Sequence, residues 1–183
     1  MKLSIRDAGV DDAALLARWA QAMALETEGR ILPDADVVPG VERGLATAGP
    51  ARYFVAESEG RPVGTLMLTS EWSDWRNGLW WWIQSVYVPE DCRRQGVYRA
   101  LYGHVRELAE SDPGVCGIRL YVEKDNLGAQ RTYASLGMQD AHYRVYEQAT
   151  RKPEGGHRWR WRFFQPVTTT KAICSGRWPA LAT

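Results

Sequence analysis

The chain has 183 residues, enough for one domain with a substantial core and no need of metal or disulfide support. Apolar residues make up 45% and charged residues 25%, and 23 basic against 22 acidic side chains leave a formal charge of +1. That balance provides no general field for nucleic acid or an anionic membrane, so neither is expected as a partner.

No stretch approaches the roughly 20 apolar residues of a membrane span, and the N-terminal residues lack the apolar run of a signal peptide. Cys92, Cys116 and Cys174 are widely spaced and form neither a metal-ligand pattern nor a disulfide framework. A cytoplasmic protein without a metal is the expectation.

Leu3 and Ile5 alternate with polar neighbours, the period of a short first strand. Asp11 and Asp12 precede Ala14, Leu15, Ala17, Trp19, Met23 and Leu25, an apolar set at helical spacing with acids at its positive end. A second, looser helix is expected from Pro33 to Ala48, with a break at Gly49-Pro50. Arg52–Glu57 and Val63–Thr69 read as a hairpin turned at Glu59-Gly60-Arg61-Pro62. The polar stretch Glu71–Gly78 leads to a long apolar strand, Leu79–Val88, ended by Pro89.

Val97, Leu101, Val105 and Leu108 then recur at helical spacing, directly after Gly96. Strand Gly117–Val122 and helix Leu127–Leu136 follow, with Gly137 as a left-handed stop. Ala141–Glu147 and His157–Phe163 are expected as two last strands, the second inside a basic tail that begins at Arg151. The order β-α-α-β-β-β-α-β-α-β-β predicts an α/β (α+β) fold with a mixed sheet and helices around it. One domain is expected over 1–150, with the last strand and an extension of uncertain order over 151–183.

The turn Arg93-Arg94-Gln95-Gly96-Val97-Tyr98 is the first chemical signal. A strand, a glycine turn and a helix start make an anion site, because the first helical N–H groups lack partners and the helix dipole favours negative charge. Arg93 and Arg94 add cations that hold phosphate oxygens in pairs, and Gly96 lets the backbone approach the anion.

These residues resemble the phosphate loop of the GNAT N-acetyltransferase superfamily, Arg/Gln-x-x-Gly-x-Gly/Ala after the fourth strand. Arg93, Gly96 and the preceding Val86-Tyr87-Val88-Pro89-Glu90 match, and Tyr98 departs from the usual Gly or Ala. A second block, Leu120–Asn126 with Ala129, Tyr133, Leu136, Gly137 and Met138, is similar to the family's later signature, and Gly96 and Asn126 stand 30 residues apart. The resemblance spans Leu79–Met138. It implies a mixed, mostly antiparallel sheet of six to seven strands flanked by about four helices.

It also implies acetyl-CoA as co-substrate, held by the backbone of Val86 and Val88, by Arg93, Arg94, Gln95, Gly96, Val97 and Tyr98, and by Asn126 at the pantetheine arm. Tyr133 matches the tyrosine that serves as acid for the departing thiolate. The expected reaction is acetyl transfer to a primary amine of a small molecule or peptide by direct attack in a ternary complex. An acyl-CoA-binding regulatory module without turnover is the alternative. Homodimers are frequent in the family, so one is expected here.

Base and acceptor site stay open. The position of the family's strand glutamate is occupied near Trp82, leaving Glu26, Glu28, Glu71, Asp74 and Glu123 as candidates. Glu26 and Glu28 stand out because the junction of the first two helices borders the acceptor in this superfamily. Five of nine tryptophans fall between Trp72 and Trp82, and two readings stand: core packing with a dimer interface, or an acceptor pocket walled by Trp72, Trp75 and one strand indole.

Overall fold

Five strands and four α-helices form among the described residues, which in this computed structural model are 2–46, 49–146, 148 and 150. They are β1 (Leu3–Asp7), α1 (Ala13–Glu28), α2 (Asp34–Ala46), β2 (Arg52–Ser58), β3 (Arg61–Ser73), β4 (Gly78–Tyr87), α3 (Val97–Ser111), β5 (Val115–Leu120) and α4 (Leu127–Ser135). The chain divides into two units, Met1–Gln139 and Asp140–Thr183. All nine elements lie in the first.

The sheet runs β1-β2-β3-β4-β5, antiparallel up to β4 and parallel between β4 and β5, with α3 as the crossover. The expectation of six to seven strands is therefore corrected to five among the described residues. Ala141–Glu147 does not form a strand over its described residues, 141–146. Tyr143, Val145 and Tyr146 are exposed and His142 sits at a φ of 58°. Alternation yields a strand where a neighbour completes the hydrogen-bond ladder, and period alone does not supply that neighbour. His157–Phe163 lies outside the described residues.

Two boundaries also shift. β3 continues to Ser73, because Glu71, Trp72 and Ser73 pair with Trp80, Leu79 and Gly78. β5 spans Val115–Leu120 rather than Gly117–Val122.

Each sheet face has its own core. On one, Val97, Leu101 and Val105 of α3 pack on Phe54, Leu66, Leu68 and Ile83. On the other, Leu16 and Ala17 of α1 and Val41 of α2 pack on Val55. Each fully buried Val, Leu or Phe contributes about 1.5–3 kcal/mol of transfer free energy, so these two layers hold the sheet against its helices.

The register of β4 sets the direction of the side chains near its end. Met67 pairs with Ser85 and Leu68 with Ile83, so Gln84 is one extra residue in β4. A bulge of this kind shifts the phase of the strand beyond it. Trp81 and Ile83 face the α3 core, and after the bulge so do Val86 and Val88. Tyr87 consequently faces α1, with its ring 6.1 Å from that of Trp19. Pairing with β5 ends at Ile83 opposite Leu120, so Gln84–Tyr87 has no β5 neighbour and an edge of polar backbone opens there.

Candidate functional site

The loop between β4 and α3 is built to expose amides. Glu90–Cys92 forms one turn of 3-10 helix, Arg94 takes a left-handed φ of 61° and Gly96 one of 84° at the N-cap of α3. Among the described residues, the amides of Arg94, Gln95, Gly96, Val97 and Tyr98 donate to no backbone or side-chain acceptor. A Cβ on Gly96 would meet nothing within 4 Å, so the space over the first turn is open. Free N–H groups, the positive end of a 15-residue helix and open space together suit a phosphate. Gln95 braces the loop, its Nε2 donating to the Asp91 carbonyl at 2.8 Å.

Beside this loop lies a cavity of about 390 Å³. Its walls come from Met23, Glu26 and Thr27 at the end of α1, from Val86, Tyr87 and Val88, from Arg93 and Tyr98, and from Ala129, Thr132 and Tyr133 of α4. The free edge of β4 therefore runs along a space shared by a phenol and a carboxylate. Tyr133 is half-buried and burial pushes its phenol up, so the hydroxyl keeps its proton throughout the neutral range.

Glu26 is held by two donors. Arg93 Nη2 donates to Oε2, and the Tyr87 hydroxyl donates to Oε1 at 2.8 Å. Arg93 first, and Tyr87 second, hold this carboxyl below the usual range. Arg93 Nε donates to the Val88 carbonyl at 2.8 Å, and its guanidinium lies 5.9 Å from the centre of the Tyr87 ring. Arg94 is exposed and has no ion-pair or hydrogen-bond partner among the described residues.

The other expected acids are engaged elsewhere. Glu28 pairs with Arg30 at 3.3 Å, and Glu71 with Arg119 at 3.1 Å and with the Trp82 indole. Asp74 accepts from the Trp75 amide at 2.9 Å and Glu123 from the Asp125 amide at 2.7 Å. Of the five, Glu26 alone lines the cavity. Asn126 caps α4, its Oδ1 accepting from the Ala129 amide at 3.0 Å.

The tryptophans separate. Trp72 pairs with Leu79 and is 60% exposed, and Trp75 in the hairpin tip is 88% exposed. Neither lines the cavity. Trp80 and Trp82 form a layer with Arg119, whose guanidinium lies 3.9 Å from the Trp80 ring centre, while Trp82 stacks on Tyr121 at 4.5 Å.

Three contributors are absent from the site residues expected above: the bulge at Gln84, the Tyr87 hydroxyl, and the α4 wall of Ala129 and Thr132. The bulge and Tyr87 depend on strand register, which carries no local signature. Ala129 and Thr132 precede Tyr133 by four residues and by one, so Ala129 shares its helix face and is readable from spacing.

Tyr98 settles into the wall. Its ring meets Tyr133 edge-on at 5.7 Å and its buried hydroxyl has no partner among the described residues. The side chain thus leaves the amides of the loop uncovered. A buried, unpaired hydroxyl costs about 1–3 kcal/mol, so Tyr98→Phe is expected to leave stability unchanged or raise it by about 1 kcal/mol, read as Tm. A clear fall in Tm would mean that the hydroxyl has a partner.

Among the described residues no group of three or more His, Cys, Asp or Glu could hold a metal ion, and no helix is long and apolar enough to cross a membrane.

The family model described as Acetyltransferase (GNAT) family matches residues 16–138. Among solved structures, a possible acetyltransferase from Clostridium difficile 630 is similar at 38% identity and a TM-score of 0.77, covering 83% of this chain and 100% of that one. A ribosomal-protein-alanine N-acetyltransferase from Brucella melitensis biovar Abortus 2308 is similar at 18% identity and a TM-score of 0.65, over 81% of this chain and 99% of that one. An aminoglycoside acetyltransferase from an uncultured soil metagenomic sample, in complex with sisomicin, has 18% identity and a TM-score of 0.66, over 82% and 97%. No curated protein sequence matches.

Proposed function

Since this chain belongs to the acetyltransferase (GNAT) family, for which acyl transfer is the implied activity, we propose that it moves the acetyl group of acetyl-CoA to a primary amine of a small molecule or peptide. The amine attacks directly in a ternary complex. One observation carries this reading: the unpaired edge of β4 runs along a cavity that holds Tyr133 on one wall and Glu26 on another, next to a loop of free amides.

Acetyl-CoA supplies an activated acyl carbon, and the chain's residues hold it, polarise it and manage the protons. The amides of residues 94–98 and the Arg94 guanidinium receive the pyrophosphate. Backbone N–H groups on the free stretch of β4 align the pantetheine and polarise the thioester carbonyl, a contribution worth about 3 kcal/mol when donors are preorganised. The acceptor's ammonium first gives one proton to water, and the neutral amine nitrogen then forms the new C–N bond as the C–S bond breaks. Tyr133 gives its proton to the departing thiolate, and the nitrogen's proton leaves to solvent or a base.

The two neighbours named for a ribosomal protein and for an aminoglycoside resemble this chain about equally, so shape does not choose between peptide and small amine. Thiol release from acetyl-CoA across a panel of amines and peptides tests the reading. Turnover with one of them supports it, and tight binding of acetyl-CoA without release on any would instead favour a regulatory module.

A further inference from the structure

We propose that Arg93 serves the acceptor side of the cavity: with Tyr87 it fixes the Glu26 carboxylate as the anchor for the acceptor's ammonium, and the phosphates are left to the loop amides and Arg94. This rests on the reading of the cavity as the meeting place of thioester and amine.

Arg93 has already committed one edge of its guanidinium. Its Nε is bonded to Val88 and its Nη2 to Glu26, which occupies one whole edge of the guanidinium fork. Bidentate capture of a phosphate needs a free edge facing the anion. Arg94 belongs to the same loop as the unpaired amides, is exposed and has no partner among the described residues, so its whole guanidinium fork is available to an anion. Arg93 and Glu26 are 67 residues apart in sequence, and their pairing ties the end of α1 to the end of β4.

Glu26 can accept further hydrogen bonds, since each carboxylate oxygen has a second lone pair. Held in its charged form by two donors, it attracts an ammonium but is a weak proton acceptor. Glu26 is therefore an amine-binding group rather than the base, and Arg93 and Tyr87 are positioning residues.

The test compares the intact chain with R93A, R94A and E26Q, using acetyl-CoA affinity by calorimetry and thiol release with benzylamine, spermidine and a lysine-containing tripeptide. R94A is expected to weaken acetyl-CoA binding about 10-fold, and R93A and E26Q by no more than about 2-fold. R93A and E26Q are expected to raise KM for the amine about 10-fold while kcat stays within about 3-fold, the pattern of a lost ground-state contact. Y87F removes one donor to Glu26 and is expected to raise KM in the same direction by less. It replaces R93A as the informative variant where melting shows that R93A has lost its fold.

If R93A weakens acetyl-CoA as much as R94A and leaves the amine KM unchanged, Arg93 belongs to the phosphate site and the proposal falls alone. A fall in kcat at constant KM for E26Q makes Glu26 the base and also overturns it. An intact chain that binds no acetyl-CoA, or acetylates none of the three amines, removes the reading of the cavity and this inference together.

Discussion

Tyr133→Phe is expected to lower kcat by about 100-fold or more, the scale of a lost general acid, while acetyl-CoA affinity and Tm stay close to those of the intact chain. The hydroxyl makes no hydrogen bond to any described residue, so its loss removes no bond that supports the fold. The ring remains in its edge contact with Tyr98. A thioester of an acidic aryl thiol provides the sharper check, because its thiolate leaves without a proton. The defect should shrink toward unity with that donor. Equal turnover of both proteins with acetyl-CoA would remove Tyr133 as the acid.

The direction of the phenol's shift adds a pH expectation. Burial raises the folded-state value of Tyr133 above that of a free phenol, so its acid form persists as pH rises through the ordinary phenol range. The alkaline limb of the kcat profile, where the acid loses its proton, should therefore lie above that range, and a fall nearer neutrality would have to come from another group.

Gly64→Ala is expected to cost about 1–3 kcal/mol, the usual penalty for forcing atoms into a filled core. A Cβ on Gly64 would lie 2.7 Å from Val97 Cγ1, and 3.3 Å from both the Tyr87 carbonyl oxygen and Val88 Cγ2. Val97 opens α3 and Tyr87 closes β4, so the strain falls on the two elements that frame the anion loop. Acetyl-CoA affinity should drop with stability. Val97→Ala in the same chain makes room for the new methyl, and the double variant should recover part of the stability lost to the single one. Independent losses that simply add would show that the contact is not the cause.

Some of the site is legible locally. Gly96 reads as a turn before a helix, and it is the left-handed N-cap of α3. Asn126 stands directly before the helix expected from Leu127, a position where Asn is a favoured cap, and its side chain bonds the Ala129 amide. Gly137 reads as a left-handed stop and has a φ of 90°. These features depend on residues within one turn of each other, so composition and spacing are sufficient. Expectations that need a distant partner fare differently. The alternating run at Ala141 forms no strand over its described residues, and Trp72 and Trp75 stand away from the cavity, Trp72 in a cross-strand pair with Leu79 and Trp75 in the hairpin tip.

By itself, then, the sequence determined the order of the elements as far as α4, the amide-rich loop ahead of α3 and the family signature on either side of it, because helix and strand periods and glycine conformations are local properties. Tertiary structure decided which side of the sheet each β4 side chain takes, since one unpaired residue at Gln84 reverses the alternation beyond it. It also decided that Glu26, among five candidate acids in the sequence, meets Arg93 and Tyr87 at the cavity. Register and packing are sums over distant contacts, and no window of the chain contains them.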